Sequence, residues 1–181
     1  MRLFVGIPMA AAVVTELSAV VARLRSSGNN LRWMEPASWH ITLQFLGKTD
    51  AEQYQWLLAR LGEVRSGPVP VHVAELGFFE RTGVFFAAVA PAPGLVSLAR
   101  RVAAAASQCG FTAETRPFHP HITLARAKGR VRSGSQPFRA LQDRIQRQPT
   151  FSRFVASEFL LYESHLSPNG SLYEIRHHFP L

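Results

Sequence analysis

A chain of 181 residues, nearly half of them apolar, is long enough for one compact domain or two small fused lobes, and too apolar for intrinsic disorder. Its net charge of +8 rests almost wholly on arginine, because Lys48 and Lys128 are the only lysines; planar guanidinium donors suit phosphate oxygens, so polyanions come first among partners, with RNA and nucleotides at the head, although GC-rich codons explain an arginine excess equally well. One cysteine, Cys109, excludes an internal disulfide and a thiolate metal site, and points to a reducing cytoplasm.

Residues 2–7 are expected to form a first strand. Gly6 and Pro8 interrupt the apolar run that would otherwise mimic a signal peptide, and no run reaches the roughly 20 apolar residues of a membrane span. The expectation is a soluble, unexported, cytoplasmic protein. Residues 10–25 carry Val13, Leu17, Val20, Val21 and Leu24 at helical spacing, and Gly28-Asn29-Asn30 closes the helix. A short strand over 31–34 and a turn at Glu35-Pro36 lead to a strand over 40–46 that stops at Gly47. A helix over 51–65 is capped by Asp50, and strands over 71–78 and 84–89 form a hairpin about Arg81-Thr82-Gly83. The second half opens near Pro91. A helix over 95–108, a short strand near 111–115 and a strand over 121–126 follow. Residues 127–136 read as a Gly-, Ser- and Arg-rich mobile loop, 137–147 as a basic helical stretch, 154–163 as one strand, Ser167-Pro168-Asn169-Gly170 as a turn, and 171–178 as the last strand.

Interspersed strands and helices with tight turns predict an α+β fold. It would have two pseudo-twofold-related lobes of mainly antiparallel sheet, outer helices and a central cleft, all within a single domain over 1–181. The pseudo-twofold rests on a repeat. His40-Ile41-Thr42-Leu43 returns letter for letter as His121-Ile122-Thr123-Leu124. Strand alternation puts each His and its Thr on one face. An imidazole donates or accepts a proton at neutral pH. Two of them on opposite sides of a phosphorus supply the base that takes a proton from water and the acid that protonates the departing oxygen. Each Thr hydroxyl can meet a non-bridging oxygen. No metal or other cofactor is required.

Alternatives stand beside this reading. His119 and His121, two residues apart, could chelate a metal, yet no Asp or Glu lies close in sequence to complete the set. Phe45, Phe118 and Trp33 could stack on a base, with core packing preferred, because Phe45 alternates away from His40 while Gln44 shares its face. Lys128, Arg130 and Arg132 could track an RNA backbone or simply be solvated. Cys109 reads as a small buried side chain, and His72, His165, His177 and His178 as structural.

Three blocks carry a family resemblance. They are Arg32-Trp33-Met34-Glu35-Pro36 with Trp39 to Gly47, Phe118 to Arg126, and Leu161 to Leu166 with Pro168, Gly170, Tyr173 and Pro180-Leu181. Together with Arg2 to Ile7 they resemble the 2H phosphoesterase superfamily, and within it the bacterial RNA 2′,3′-cyclic phosphodiesterases, also described as 2′-5′ RNA ligases. The resemblance runs nearly end to end. It implies metal-independent hydrolysis of RNA 2′,3′-cyclic phosphate ends to 2′-phosphomonoesters, with His40 as proton donor, His121 as proton acceptor, and Thr42 and Thr123 holding the phosphate. The reverse joining through a 2′-5′ linkage would use the same histidines without ATP. Arg126 falls where members often carry an arginine just after the second motif, which implies a substrate-binding role, although strict alternation gives it the opposite parity to His121 and Thr123. The expected partners are RNA ends or oligonucleotides bearing a 2′,3′-cyclic phosphate, with no membrane and no obligatory protein partner. A nucleotide-binding module, or a phosphodiesterase of small cyclic nucleotides, is the alternative.

Overall fold

In the computed structural model, two antiparallel sheets meet along the strands that carry the repeated tetrapeptide. The structure describes residues 1–25, 30–112, 114–129, 138–145, 147–167 and 170–181. The expected turns at 28–29 and 168–169, and the loop from 130 to 136 with Arg130 and Arg132, lie outside the described residues.

Nine strands and four helices are seen among the described residues: β1 (Arg2–Pro8), α1 (Ala11–Leu24), β2 (Leu31–Trp33), β3 (His40–Lys48), α2 (Ala51–Gly62), β4 (Val69–Phe79), β5 (Val84–Val89), α3 (Pro93–Gln108), β6 (His121–Ala127), α4 (Arg139–Gln142), β7 (Arg153–Ala156), β8 (Glu158–Ser167) and β9 (Gly170–Pro180). The first sheet runs β3-β1-β8-β9 and the second β2-β6-β5-β4-β7. Each sheet therefore draws strands from both halves of the sequence, as β8 and β9 return to lie beside β1 while β2 crosses to β6. One main apolar core collects side chains from both sheets and from α1, α2 and α3. No helix among the described residues is long and apolar enough to cross a membrane.

Several expectations need correction. The predicted strand over 154–163 is two strands in different sheets: β7 pairs with β4, while β8 pairs with β1 and β9. The chain changes sheet at Ser157, whose carbonyl accepts the Leu181 amide at 2.8 Å. The polar pair Ser157-Glu158 interrupts the apolar run there, but isolated polar residues are also ordinary within a half-exposed strand, so they do not announce a change of sheet. Residues 111–112 and 114–115 form no strand, and the helix expected over 137–147 is confined to Arg139–Gln142. β3 does not stop at Gly47 but runs through it, with Gly47 at φ +77° opposite Leu3 where the ladder slips. Glycine takes that conformation without a steric cost.

α2 begins as its sequence predicts. The Asp50 carboxylate accepts the Gln53 amide at 2.8 Å, and the Gln53 side-chain oxygen accepts the Asp50 amide at 3.4 Å, a reciprocal cap on two orphan donors. Asp50→Ala is expected to cost about 1 kcal/mol, lowering Tm by roughly 2–4 °C. Thermal unfolding measures it, and an unchanged Tm would show that the cap contributes nothing.

Candidate active site

β3 and β6 each open on a histidine, and the two rings are held alike. His40 Nδ1 donates to the Ser38 carbonyl at 2.7 Å, and His121 Nδ1 donates to the His119 carbonyl at 2.7 Å. In both, the residue two positions back supplies the acceptor. Each bond leaves Nε2 as the nitrogen free to exchange a proton. The Thr42 hydroxyl lies 3.1 Å from His40 Nε2. Thr123, half-buried, stands on the same face of β6 as His121.

Strand alternation fails at the same place in both copies. Opposite β1, Gly6 faces Thr42 but Val5 faces Gln44, so Leu43 is an extra residue. Opposite β5, Phe86 faces Thr123 but Phe85 faces Ala125, so Leu124 is an extra residue. A bulge of this kind puts two consecutive side chains on the core face and reverses the parity beyond it. The burial follows: Leu43 and Gln44 are both buried, as are Leu124 and Ala125. Arg126 thereby takes the face of His121 and Thr123, and the objection from parity disappears. By the same step Phe45 takes the face of His40, 65% exposed, contrary to the expectation that it alternates away into the core. Gln44, expected to share the His40 face, is only 5% exposed and donates instead to the Phe45 carbonyl at 3.1 Å and the Thr112 carbonyl at 3.4 Å. Trp33 packs edge-on against Phe85, as core packing requires.

Pattern reading passes over the groups that shape the site. The His40 ring lies over Gly6, where a Cβ would stand 3.3 Å from its Cδ2. Phe4, Tyr162 and Tyr173 wall it, at centroid distances of 4.6, 5.5 and 5.2 Å. Phe79 and Phe86 sit edge-on to His121 at 5.2 and 5.4 Å. Gly6 and Tyr173 fall within the blocks that carry the resemblance, which was the one available signal.

Burial is the largest influence on the acidity of both rings. It pushes His40 from 6.5 down to about 4, with the carbonyl of Ser38 opposing and the charges of His121 and Arg126 adding to the depression. His121 is lowered by burial and by Arg126 and His119, with its carbonyl bond opposing. Arg126 thus acts on both imidazoles, and it forms no ion pair among the described residues. Two neutral rings and an uncompensated guanidinium make a field that favours an anion.

One consequence concerns stability. The unfolded chain binds the His40 proton at an ordinary pKa of 6.5, the folded chain only near 4. The contribution of His40 is complete above pH 6.5, is lost as pH falls between the two values, and changes no further below 4. Over that window Tm should fall more steeply for the wild type than for His40→Gln. Parallel curves would contradict the assignment.

His119 is exposed and serves the site through its carbonyl. Among the described residues, the one group of three His, Cys, Asp or Glu side chains close enough to share a metal ion is Glu163, His165 and Glu174. Glu163 and Glu174 there already face the guanidinium of Arg176, at 3.7 and 3.1 Å. Cys109 is buried.

Comparison with known proteins bears on the family and the fold. The family model of the 2'-5' RNA ligase superfamily matches residues 13–167. The chain is 27% identical over 179 residues to an RNA 2',3'-cyclic phosphodiesterase of Methanocaldococcus jannaschii, covering 97% of this chain and 98% of that one. It is 28% identical over 180 residues to the protein of the same name from Thermotoga maritima, covering 97% and 92%. Its fold is similar to that of E. coli LigT complexed with 3'-AMP, with a TM-score of 0.81 and 26% identity over 99% of this chain and 97% of that one.

Proposed function

The chain belongs to the 2'-5' RNA ligase superfamily, and from that premise we propose that it hydrolyses RNA 2′,3′-cyclic phosphodiester ends to 2′-phosphomonoesters with His40 and His121 as acid and base. The observation that carries this reading is the mirrored pair of imidazoles, each fixed through Nδ1 to a carbonyl, with Arg126 bearing on both. In the reaction His121 Nε2 takes a proton from water as the water oxygen bonds to phosphorus. The bond from phosphorus to the 3′ oxygen breaks, and His40 passes its proton to that oxygen. The phosphate stays on the 2′ oxygen. Thr42, Thr123 and Arg126 hold the non-bridging oxygens, where charge builds. The proton that His40 passes is the one on Nε2; burial chiefly disfavours it and the neighbouring positive charge adds to this, while an anionic substrate beside the ring favours it. With a 5′-hydroxyl in place of water, the same displacement joins two ends through a 2′-5′ linkage, but abundant water favours hydrolysis. A single buried, free cysteine suits a reducing cytoplasm.

The test is to incubate the protein with an oligoribonucleotide ending in a 2′,3′-cyclic phosphate, with EDTA present, and to identify the product. Conversion to the 2′-phosphate isomer is expected. No turnover, or a 3′-phosphate alone, would overturn the reading.

A further inference from the structure

The hairpin of β8 and β9 runs on past the sheet. β1 pairs with β8 only from Gly6–Leu160 to Leu3–Glu163, whereas the β8–β9 ladder continues to Ser167–Gly170. Tyr162 and Ser164 lie opposite Ile175 and Tyr173, so these four share the face of the hairpin that looks onto His40. Phe4 and Tyr162 are buried in a small cluster of their own, and Tyr173 packs on it from the open side, edge-on to Phe4 at 5.0 Å and to His40 at 5.2 Å. Of the three rings around His40, Tyr173 is the one that remains partly accessible. Ile175 beside it is 48% exposed, and Leu166, farther along the same face, is 86% exposed. A strip of exposed apolar surface thus begins at the edge of His40.

The direction of the chemistry says what meets that strip. Water, attached to nothing else, enters from the His121 side. The departing 3′ oxygen stays part of the ribose, so the sugar and base must lie on the side of the group that protonates it. We propose that Tyr173, flanked by Ile175, is the wall against which the terminal nucleoside packs, so that the site selects a cyclic phosphate that carries a base. This inference rests on the proposed roles of His40 and His121. An aromatic ring offers broad contact to a ribose or base face at little conformational cost.

Its test compares two substrates, adenosine 2′,3′-cyclic phosphate and the base-less methyl riboside 2′,3′-cyclic phosphate. Tyr173→Ala and Tyr173→Leu are expected to lower kcat/KM for the adenosine compound about tenfold or more, chiefly through KM, because stacking on an aromatic side chain is worth about that much. The base-less compound should lose less than about threefold, and Tyr173→Phe should keep the preference for the base. Equal losses on both substrates would overturn the proposal and reduce Tyr173 to a prop for His40, as would no loss on either. A wild-type protein inert toward both compounds would sink the proposed reaction instead. Binding then decides for Tyr173: adenosine 2′-monophosphate should lose its advantage over inorganic phosphate in Tyr173→Ala, and an unchanged advantage would refute the wall.

Discussion

His40→Ala and His121→Ala are each expected to lower kcat/KM on a 2′,3′-cyclic phosphate by about three orders of magnitude, the middle of the range that a positioned acid or base contributes. The double variant should lose little more, because an acid and a base that serve one displacement act as a unit and their effects do not add. Both rings sit at the openings of strands, half-buried, so the fold is expected to survive either change. Each truncation leaves one carbonyl, of Ser38 or of His119, to find water. Near-native unfolding curves must accompany the loss for it to count as chemical. A single variant that keeps turnover within tenfold of the wild type would remove that histidine from the reaction, and fully additive losses would mean that the two rings act on separate steps.

Gly6→Ala is expected to lower activity about a hundredfold with His40 and Thr42 both in place. Gly6 lies opposite Thr42 in the ladder, beneath the His40 ring. A Cβ there would fall 2.9 Å from the Ile41 carbonyl, 3.3 Å from His40 Cδ2 and 3.5 Å from Tyr162 Cε2. The first obstacle is backbone, so β3 itself must shift. Overpacking of this kind costs about 1–3 kcal/mol, and a displacement of about 1 Å at a reacting group costs about a hundredfold in rate. Gly77 gives the contrast. Its added Cβ would meet the Phe86 ring at 2.6 Å, the ring that stands edge-on to His121, so Gly77→Ala should also lower activity, but from the His121 side and through a displaced side chain rather than a shifted strand. Steady-state kinetics with thermal unfolding on both variants checks the pair. Activity within threefold of wild type in Gly6→Ala would show that the His40 position tolerates the shift.

The histidines and threonines were legible because a tetrapeptide repeated without change needs no knowledge of the fold. What alternation misplaces lies just beyond each copy. Leu43 and Leu124 are ordinary apolar strand residues, and no residue type marks either as the extra member of a bulge. Period-2 reading therefore carries Gln44 into the cleft and Phe45 out of it, the reverse of what the ladders impose. The same bulge brings Arg126 round beside His121. Helix α1 and its buried stripe of Val13, Leu17, Val20, Val21 and Leu24 were legible because a fully periodic face admits only one way to bury itself. The division of β7 from β8 was not, since it depends on which partner each strand finds, and partners are set by contacts distant in sequence.

The central claim is that two imidazoles close on one phosphorus from opposite sides. A crystal structure of this protein with adenosine 2′-monophosphate, the product of the proposed reaction, tests it most directly. The predicted result is a phosphate between the rings, with oxygens at hydrogen-bond distance from Nε2 of both His40 and His121 and the Arg126 guanidinium on a third. A phosphate that touches one imidazole alone, or settles elsewhere on the surface, would contradict it.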